Sequence, residues 1–357
     1  MLHPMEVIQK TIKSYGIDAI TLFISFISVI TIASFILWDA NLAKTVIDNI
    51  YSLIVSYFGS SYLILTIVSF VFLIILATTK YGKHVLGGQD TSPEFSYFSW
   101  IGMLFCSGIG GGIIYWSGVE WAYYVGIPQF SIEAYSSEAY SLATAYGLFH
   151  WGLSAWSIYG IPAIALSIVF YKYNLNSLRL SSSLKGLGIP DIESSYFGRF
   201  IDLIFILATV GAAGGTIGSY IPMLSSGLTD LFNINNGFHI DIGVVLLCVA
   251  LFGYSVYRGL EKGIRILSNF NLILALVFLC LIVFSTDLKE LLQLSVSGIQ
   301  YSFSYFWNMS TLGISEPSDF AKEWTIFYWA WWVAFGPLVG LFIARISKGR
   351  SLRQVII

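Results

Sequence analysis

The sequence predicts an all-α, polytopic helical membrane protein, and three observations support this fold class. Hydrophobic residues make up 56% of the 357 residues and charged residues only 11%, with a mean hydropathy of +0.77, which lies outside the range of soluble domains. Several apolar runs reach the roughly 20 residues that a helix needs to cross a bilayer core. Lysine and arginine are also distributed unevenly between the loops. The predicted spans are residues 17–38, 51–78, 98–118, 141–171, 200–228, 240–257, 268–286 and 324–346.

The loop charges set the orientation of these eight spans. With the N-terminus in the cytoplasm, 15 of the 18 Lys and Arg residues fall in cytoplasmic segments, and only Lys44, Lys289 and Lys322 fall outside. Cytoplasmic loops are enriched in Lys and Arg, so the count supports both the orientation and the number of spans. We therefore expect a multi-pass plasma-membrane protein, of the bacterial inner-membrane kind, with both termini cytoplasmic. The net charge of −2 suggests no nucleic-acid partner.

Short hydrophilic loops indicate that residues 1–357 form a single membrane domain. The longest outer segment, 287–323, repeats its apolar residues at near-helical spacing. This pattern predicts an outer connecting helix that either lies along the membrane surface or caps the bundle. The three cysteines, Cys106, Cys248 and Cys280, are spaced too irregularly for a metal site and are expected to pack inside the spans.

The third span contains a glycine cluster in the stretch "FCSGIGGGIIYW". Gly108, Gly110, Gly111 and Gly112 fall within five residues, and each costs roughly 1 kcal/mol against alanine inside a helix. A broken helix becomes accessible here, although close helix packing through small residues is the alternative. At membrane depth a break is tolerated where the freed backbone groups are buried in protein or face a cavity. We predict a distorted segment between Gly108 and Gly112.

The fourth span carries aromatic residues in "FHWGLSAWSIYGIP". At 100° per residue Trp156 and Tyr159 share a face, and Trp151 is displaced from Tyr159 by about 80°. All three can therefore border one cavity. The alternative is an aromatic belt at the headgroups, but these residues begin some ten positions into their span, which is too deep for a belt.

The eighth span holds four of the eleven tryptophans within nine residues, in "EWTIFYWAWW". Trp329 and Trp332 share a face by their i, i+3 spacing, whereas Trp331 points elsewhere. Trp324 and Tyr328 suit an interfacial belt better.

Ionisable side chains are nearly absent from the predicted membrane interior, where His150 stands almost alone. An anion site would be expected to show a buried Lys or Arg, and an ordinary amine site a buried Asp or Glu. Aromatic rings can instead bind a quaternary ammonium group through cation–π attraction. For His150 we expect a hydrogen bond inside the bundle, with a proton relay as the alternative.

These motifs resemble the betaine/carnitine/choline transporter family. The resemblance rests on "KYGKHVLGGQDTSPEFSYFSW", the glycine alternation, "FHWGLSAWSIYGIP", "YRGLEKGIRILSNFN" and "EWTIFYWAWW" followed by "GLFIARISKGR". It implies a symporter for small quaternary-ammonium compounds that works by alternating access in a fold of two inverted five-helix repeats, and it is compatible with a homotrimer. Residues 17–78 would be two extra N-terminal helices, 98–286 the first repeat, and 324–357 the first helix of the second repeat with a cytoplasmic tail.

The resemblance also implies functional residues. Trp151, Trp156, Tyr159 and Trp332 would form the ammonium cage, with Trp331 in a neighbouring outward position. Gly108, Gly110 and Gly112 would line the substrate path, and Gly112 matches the variant associated with glycine betaine and sodium coupling. The coupling ion would be Na⁺, near Ser107 and Ile109 at one position and near Thr209 at another. No other cofactor is implied.

The chain departs from the family pattern at Ala213, Phe335 and Leu338, where a threonine, a tryptophan and an aromatic residue are usual. Ala213 weakens the case for one sodium position. Family members have about twelve spans, so the second repeat is expected to be incomplete, and residues 1–357 alone are expected to show no sodium-driven accumulation. The alternative function is a non-transporting membrane protein, or a gene fragment, that binds ligand or assembles with a partner. An enzyme is not expected, because no span shows catalytic or metal-binding spacing.

Overall fold

A computed structural model describes residues 18–108, 110–175, 179–189, 191–235, 237–315 and 318–357. Within these ranges the long elements are all α-helical, and the only β-pairing is an isolated antiparallel bridge between Val85 and Ser351. Seven of the described helices are long and apolar enough to cross a membrane, or eight when one bent pair counts as a single span. The predicted all-α polytopic fold is therefore confirmed.

Fourteen α-helices are present in the described ranges, together with short 3-10 and π-helical turns. The α-helices are α1 (Ala19–Trp38), α2 (Ala40–Thr78), α3 (Tyr97–Gly108), α4 (Gly111–Ser117), α5 (Glu120–Gly126), α6 (Ser137–Trp151), α7 (Leu153–Tyr173), α8 (Tyr196–Phe232), α9 (Phe238–Tyr257), α10 (Arg265–Ser285), α11 (Leu288–Ser304), α12 (Phe306–Thr311), α13 (Phe327–Ile346) and α14 (Leu352–Ile356). A π-helical turn precedes each of α10 and α13, at Leu260–Ile264 and Ala321–Ile326.

Aspartate caps explain where the first two helices begin. Asp18 accepts hydrogen bonds from the backbone N–H groups of Ile20 and Thr21, and Asp39 accepts from those of Asn41 and Leu42. Asp39 alone separates α1 from α2, so α2 starts eleven residues before the span predicted at 51–78. At about 1.5 Å per residue its 39 residues extend about 58 Å, well beyond a hydrocarbon core of about 30 Å.

The third predicted span is broken, as its glycine density predicts. Helix α3 ends at Gly108, α4 begins at Gly111, and Gly110 between them has an extended backbone. The helical stretches Tyr97–Gly108 and Ile113–Gly126 are bent by 73° relative to each other. The predicted end of the span at residue 118 was wrong, because helical structure resumes after a short turn and continues to Gly126 as α5.

The fourth predicted span, 141–171, is also interrupted, although it was predicted to be continuous. Helix α6 ends at Trp151 and α7 begins at Leu153, with Gly152 between them. A Cβ at Gly152 would collide with the backbone carbonyl oxygen of Leu148, so only glycine fits. The 100° rule therefore still relates Trp156 to Tyr159 on α7, but it no longer fixes the direction of Trp151.

Two compact units make up the chain. The first comprises the described residues of Met1–Glu94, Ser157–Ala212 and Thr311–Ile357. In it α7 packs closely on two other helices. A Cβ at Gly160 would collide with the side chain of Leu73 on α2, and one at Gly340 on α13 would lie 2.9 Å from the backbone nitrogen of Ala163. These glycines bring the three helix backbones together.

The second unit comprises Phe95–Trp156 and Ala213–Ser310, again in its described residues. Helix α11 lies in the segment predicted at 287–323 and packs against α6. A Cβ at Gly298 would collide with Thr144, and the hydroxyls of Ser141 and Ser297 are 3.0 Å apart. In the same unit Asn269 on α10 donates a hydrogen bond to the Ser99 hydroxyl on α3 at 3.1 Å.

A group of charged residues joins the start of α1 to the first turns of α8 and to Arg179 in the loop before it. The Arg199 Nε lies 2.7 Å from Asp18, and the Arg179 guanidinium lies 2.7 Å from Asp202 and 3.8 Å from Asp18. Partial burial opposes ionisation of Asp18. Hydrogen bonds from Arg199 and from the backbone at Thr21 and Ile20 outweigh that burial and hold the pKa of the Asp18 carboxyl below its usual range.

Candidate functional site

Tyr159 and Trp332 form a buried aromatic pair in the first unit. Tyr159 on α7 is 6% exposed, Trp332 on α13 is 3% exposed, and their ring centroids lie 4.4 Å apart at an interplanar angle of 51°. One turn after Trp332, Gly336 leaves room beside the Tyr159 ring and Pro162. The structure therefore brings together two of the four predicted cage residues, with the planes of their rings inclined to each other.

Trp331 lies on another side of α13. Its ring stacks on Tyr328 at 6.2 Å with an interplanar angle of 14°, and lies 6.5 Å from the ring of Phe335. This separation from Trp332 follows the predicted helical phase. The prediction of an interfacial Tyr328 was wrong, since this side chain is fully buried against neighbouring rings.

Trp156 packs against the glycine break in the second unit. A Cβ at Gly108 would collide with Cζ2 and Cη2 of the Trp156 indole, so the ring occupies the space that a side chain at residue 108 would fill. Around Gly110, by contrast, the described residues place no atom within 4 Å of a Cβ position. Gly108 thus has a specific role in seating Trp156. Gly112 and Gly110 stay predictions as substrate contacts.

Trp151 is held by a carboxylate in the same unit. Its indole Nε1 donates to both oxygens of Glu120, at 3.1 Å each, and Glu120 is only 4% exposed. Glu120 was not among the predicted site residues, because the third span was predicted to end at residue 118. The statement that His150 is almost the sole ionisable residue of the interior was therefore wrong. The signal was present in "YWSGVEWAYYVG", where one glutamate stands among aromatic and apolar residues.

His150 is completely buried next to this carboxylate. Its Nδ1 lies 2.9 Å from the Tyr124 hydroxyl, and its ring contacts those of Tyr124, Tyr146 and Phe149 at centroid distances of 5.4 to 5.7 Å. The expected hydrogen bond inside the bundle is confirmed. A proton relay through His150 stays a hypothesis.

The predicted cage is divided between the two units. Trp151 and Trp156 belong to the second unit, whereas Tyr159 and Trp332 belong to the first. Each pair is placed by contacts within its own unit. The convergence of all four rings on one cation stays a prediction.

The predicted ion-binding residues differ in their surroundings. The Ser107 hydroxyl donates to the backbone oxygen of Leu104 at 2.7 Å, as serines in helices often do. The Thr209 hydroxyl on α8 is buried and makes no hydrogen bond with the described residues. Ile109 lies outside the described residues. Burying a hydroxyl without a hydrogen-bond partner costs free energy, and binding an ion would offset that cost. The Thr209 oxygen can therefore act as a ligand.

Comparisons with known proteins agree with these features. The family model described as "BCCT, betaine/carnitine/choline family transporter" matches residues 20–357. The chain is 32% identical over 358 residues to glycine betaine transporter 1 of Vibrio parahaemolyticus, covering 98% of this chain and 67% of that protein. It is 32% identical over 351 residues to the ectoine/hydroxyectoine transporter of Virgibacillus pantothenticus, with coverages of 98% and 68%. Against the high-affinity choline transport protein of Escherichia coli K12 it is 34% identical over 303 residues, with coverages of 84% and 44%. The chain thus spans from less than half to about two thirds of the length of these relatives.

Proposed function

Because the chain belongs to the betaine/carnitine/choline family of transporters, a family of multi-pass plasma-membrane transporters and not of enzymes, we propose that it takes part in the symport of small quaternary-ammonium compounds. The observation that carries this proposal is the buried pair of Tyr159 and Trp332, with centroids 4.4 Å apart. The substrate class we propose comprises glycine betaine, choline and carnitine. The transport mechanism is alternating access.

The chemistry of the rings supports this substrate class. A trimethylammonium group has no hydrogen to donate, so hydrogen-bond acceptors cannot recognise it. The faces of Tyr and Trp carry a negative potential that attracts such a cation, by about 2 kcal/mol or more where water is excluded. The rings proposed to contact the ammonium group are those of Tyr159, Trp332, Trp151 and Trp156. Trp331 would bind the cation at an outer position.

The relatives of this chain act on the same substrate class or on compounds close to it. They transport glycine betaine, ectoine and hydroxyectoine, and choline. Choline and glycine betaine share a trimethylammonium group, and they differ in carrying a hydroxyl or a carboxylate. A cage of aromatic rings would bind the trimethylammonium group that both compounds share. The direct test is uptake of labelled glycine betaine and choline into proteoliposomes holding the protein expressed from its complete reading frame. Absence of uptake for both compounds would contradict the proposed function.

Sodium is the coupling ion we propose. Gly112 is the family variant associated with sodium, and the buried Thr209 hydroxyl without a described hydrogen-bond partner supplies one oxygen. The backbone near Ser107 and Ile109 would supply others, since hard cations bind oxygen ligands. An inward sodium gradient should drive uptake of glycine betaine in the same proteoliposomes. Uptake driven by a proton gradient and indifferent to sodium would contradict this coupling.

Replacing Thr209 by alanine tests the sodium proposal at one residue. Losing a single hydroxyl ligand should raise the sodium concentration for half-maximal uptake about fivefold to tenfold, and Thr209→Ser should restore it. The measurement is uptake of glycine betaine as a function of sodium concentration. Thr229→Ala is the matched control, because the Thr229 hydroxyl, on the same helix, is satisfied by the Ser226 backbone oxygen at 2.9 Å. Equal sodium dependence in wild type and Thr209→Ala would exclude a ligand role for Thr209.

Orientation and assembly complete the proposal. The distribution of Lys and Arg supports cytoplasmic termini, so a cysteine replacing Lys80 should react with a membrane-impermeant thiol reagent only after cells are opened. Native Cys106, Cys248 and Cys280 would first be replaced by serine or alanine.

The proposal of a homotrimer rests on family membership alone. The mass of the detergent-solubilised protein, corrected for bound detergent, measures the number of subunits.

A further inference from the structure

Glu120 places a carboxylate at the N–H edge of Trp151, one ring of the proposed cage. It begins α5, it is 4% exposed, and both of its oxygens lie 3.1 Å from the Trp151 Nε1. An indole N–H is a donor only, so both oxygens act as acceptors toward it. This contact fixes the edge of the indole that carries the nitrogen.

The Tyr124 hydroxyl is a second donor to the Glu120 carboxylate, and it also contacts His150. The Tyr124 hydroxyl lies 3.5 Å from Glu120 Oε2 and 2.9 Å from His150 Nδ1, and both Tyr124 and His150 are buried. The hydroxyl has one proton. Both contacts are satisfied when His150 donates from Nδ1 to the Tyr124 oxygen, and Tyr124 donates its proton to Glu120. In this arrangement His150 donates to Tyr124 and Tyr124 donates to Glu120. This direction of donation stabilises a negative charge on the Glu120 carboxylate.

On the proposed function, in which Trp151 faces the substrate cation, we propose that Glu120 is a positioning residue that orients Trp151 and makes its ring a better partner for a cation. A negative charge at the N–H edge adds to the negative potential that the ring face presents. It also adds direct attraction for any net positive substrate, and this attraction is strong where water is excluded. Glu120 contacts the indole and does not touch the substrate.

This role has a consequence for substrate preference. Choline carries a net positive charge, whereas glycine betaine is a zwitterion whose carboxylate is repelled by Glu120. The charge therefore favours choline more than glycine betaine. A residue that merely held the ring in place would affect both substrates equally. The ratio of the two KM values separates these roles.

The test is Glu120→Gln in the protein expressed from its complete reading frame and reconstituted in proteoliposomes. Glutamine keeps one acceptor oxygen for the indole and removes the charge. The KM for choline should rise roughly tenfold, since the charge that attracts a net positive substrate is lost, and the KM for glycine betaine should rise only about twofold to threefold. The maximal rates should stay within about a factor of two of wild type. Glu138→Gln, at an exposed position on α6, is the matched control for loss of one charge and should change neither KM.

Two further variants cover the remaining outcomes. Glu120→Asp keeps the charge but shortens the side chain, so it should raise both KM values together and keep their ratio; a change of the ratio in this variant would contradict the assignment of the preference to the charge. In a Trp151→Phe background, which lacks the N–H donor, Glu120→Gln should lose the part of its effect that passes through Trp151 and keep the direct effect of the charge on choline. Equal changes in both KM values in Glu120→Gln would overturn the role of the charge, and no change in either would overturn the positioning role as well; both outcomes leave the proposed function standing. Wild-type protein that transports neither compound would overturn both.

Discussion

Replacing Trp332 by leucine is expected to raise the KM for glycine betaine at least about 30-fold, because about 2 kcal/mol of cation–π attraction is lost from a desolvated site. Tyr159 would also lose the ring that lies 4.4 Å from its own. Trp332→Phe keeps an aromatic face, so its KM should lie between those of wild type and Trp332→Leu. The measurement is initial uptake into proteoliposomes as a function of glycine betaine concentration.

Controls for this variant must separate lost binding from lost folding. Trp332 is 3% exposed, and removing a buried tryptophan leaves a cavity. Thermal unfolding of the purified variants should therefore be measured beside uptake. Trp38→Leu, at a residue 79% exposed at the end of α1, should leave uptake unchanged. A Trp332→Leu protein that is folded and has the wild-type KM would exclude Trp332 from the cage.

Substituting Gly108 by alanine is the second change with a large expected effect. The new Cβ would collide with the Trp156 indole, which supplies the nearest atoms to that position. The indole ring would therefore have to move. A displaced Trp156 removes one face of the proposed cage, so the KM for glycine betaine should rise at least about tenfold, since even exposed cation–π contacts contribute about 0.5 to 1 kcal/mol and buried ones more.

Gly253→Ala provides the matched control for this substitution. Gly253 lies within α9, and the described residues place no atom within 4 Å of its Cβ position. The alanine should fit, and it should leave uptake unchanged while favouring the helix by up to about 1 kcal/mol. If Gly108→Ala transports like Gly253→Ala, the contact between Gly108 and Trp156 has no part in substrate binding.

Local features with a single physical cause could be predicted from the sequence. Four glycines in five residues indicate a break whatever surrounds them, and helix α3 does end at Gly108. The i, i+3 spacing of Trp329 and Trp332 indicates one face, and both are buried at 1% and 3% exposure. Hydropathy and loop charge together indicate the number of spans.

Features that depend on tertiary packing could not be predicted in this way. A single glycine such as Gly152 is common inside membrane helices, and only the nearby Leu148 carbonyl shows why no larger residue fits there. Glu120 lay just beyond a span drawn from length alone, and its burial follows from the resumption of helix after the break. Tyr328 carries a hydroxyl that suits an interface, but packing against its aromatic neighbours buries it fully.

The central claim is that aromatic rings recognise the positive charge of a methylated ammonium group. Glycine betaine and 3,3-dimethylbutanoate test it directly, because they share a shape and differ in having nitrogen or carbon at the branched centre. Their affinities for the protein expressed from its complete reading frame can be compared by isothermal titration calorimetry. Glycine betaine should bind at least about 30-fold more tightly, as expected from about 2 kcal/mol of cation–π attraction. Equal affinity for the two compounds, or tighter binding of the carbon analogue, would contradict recognition by an aromatic cage.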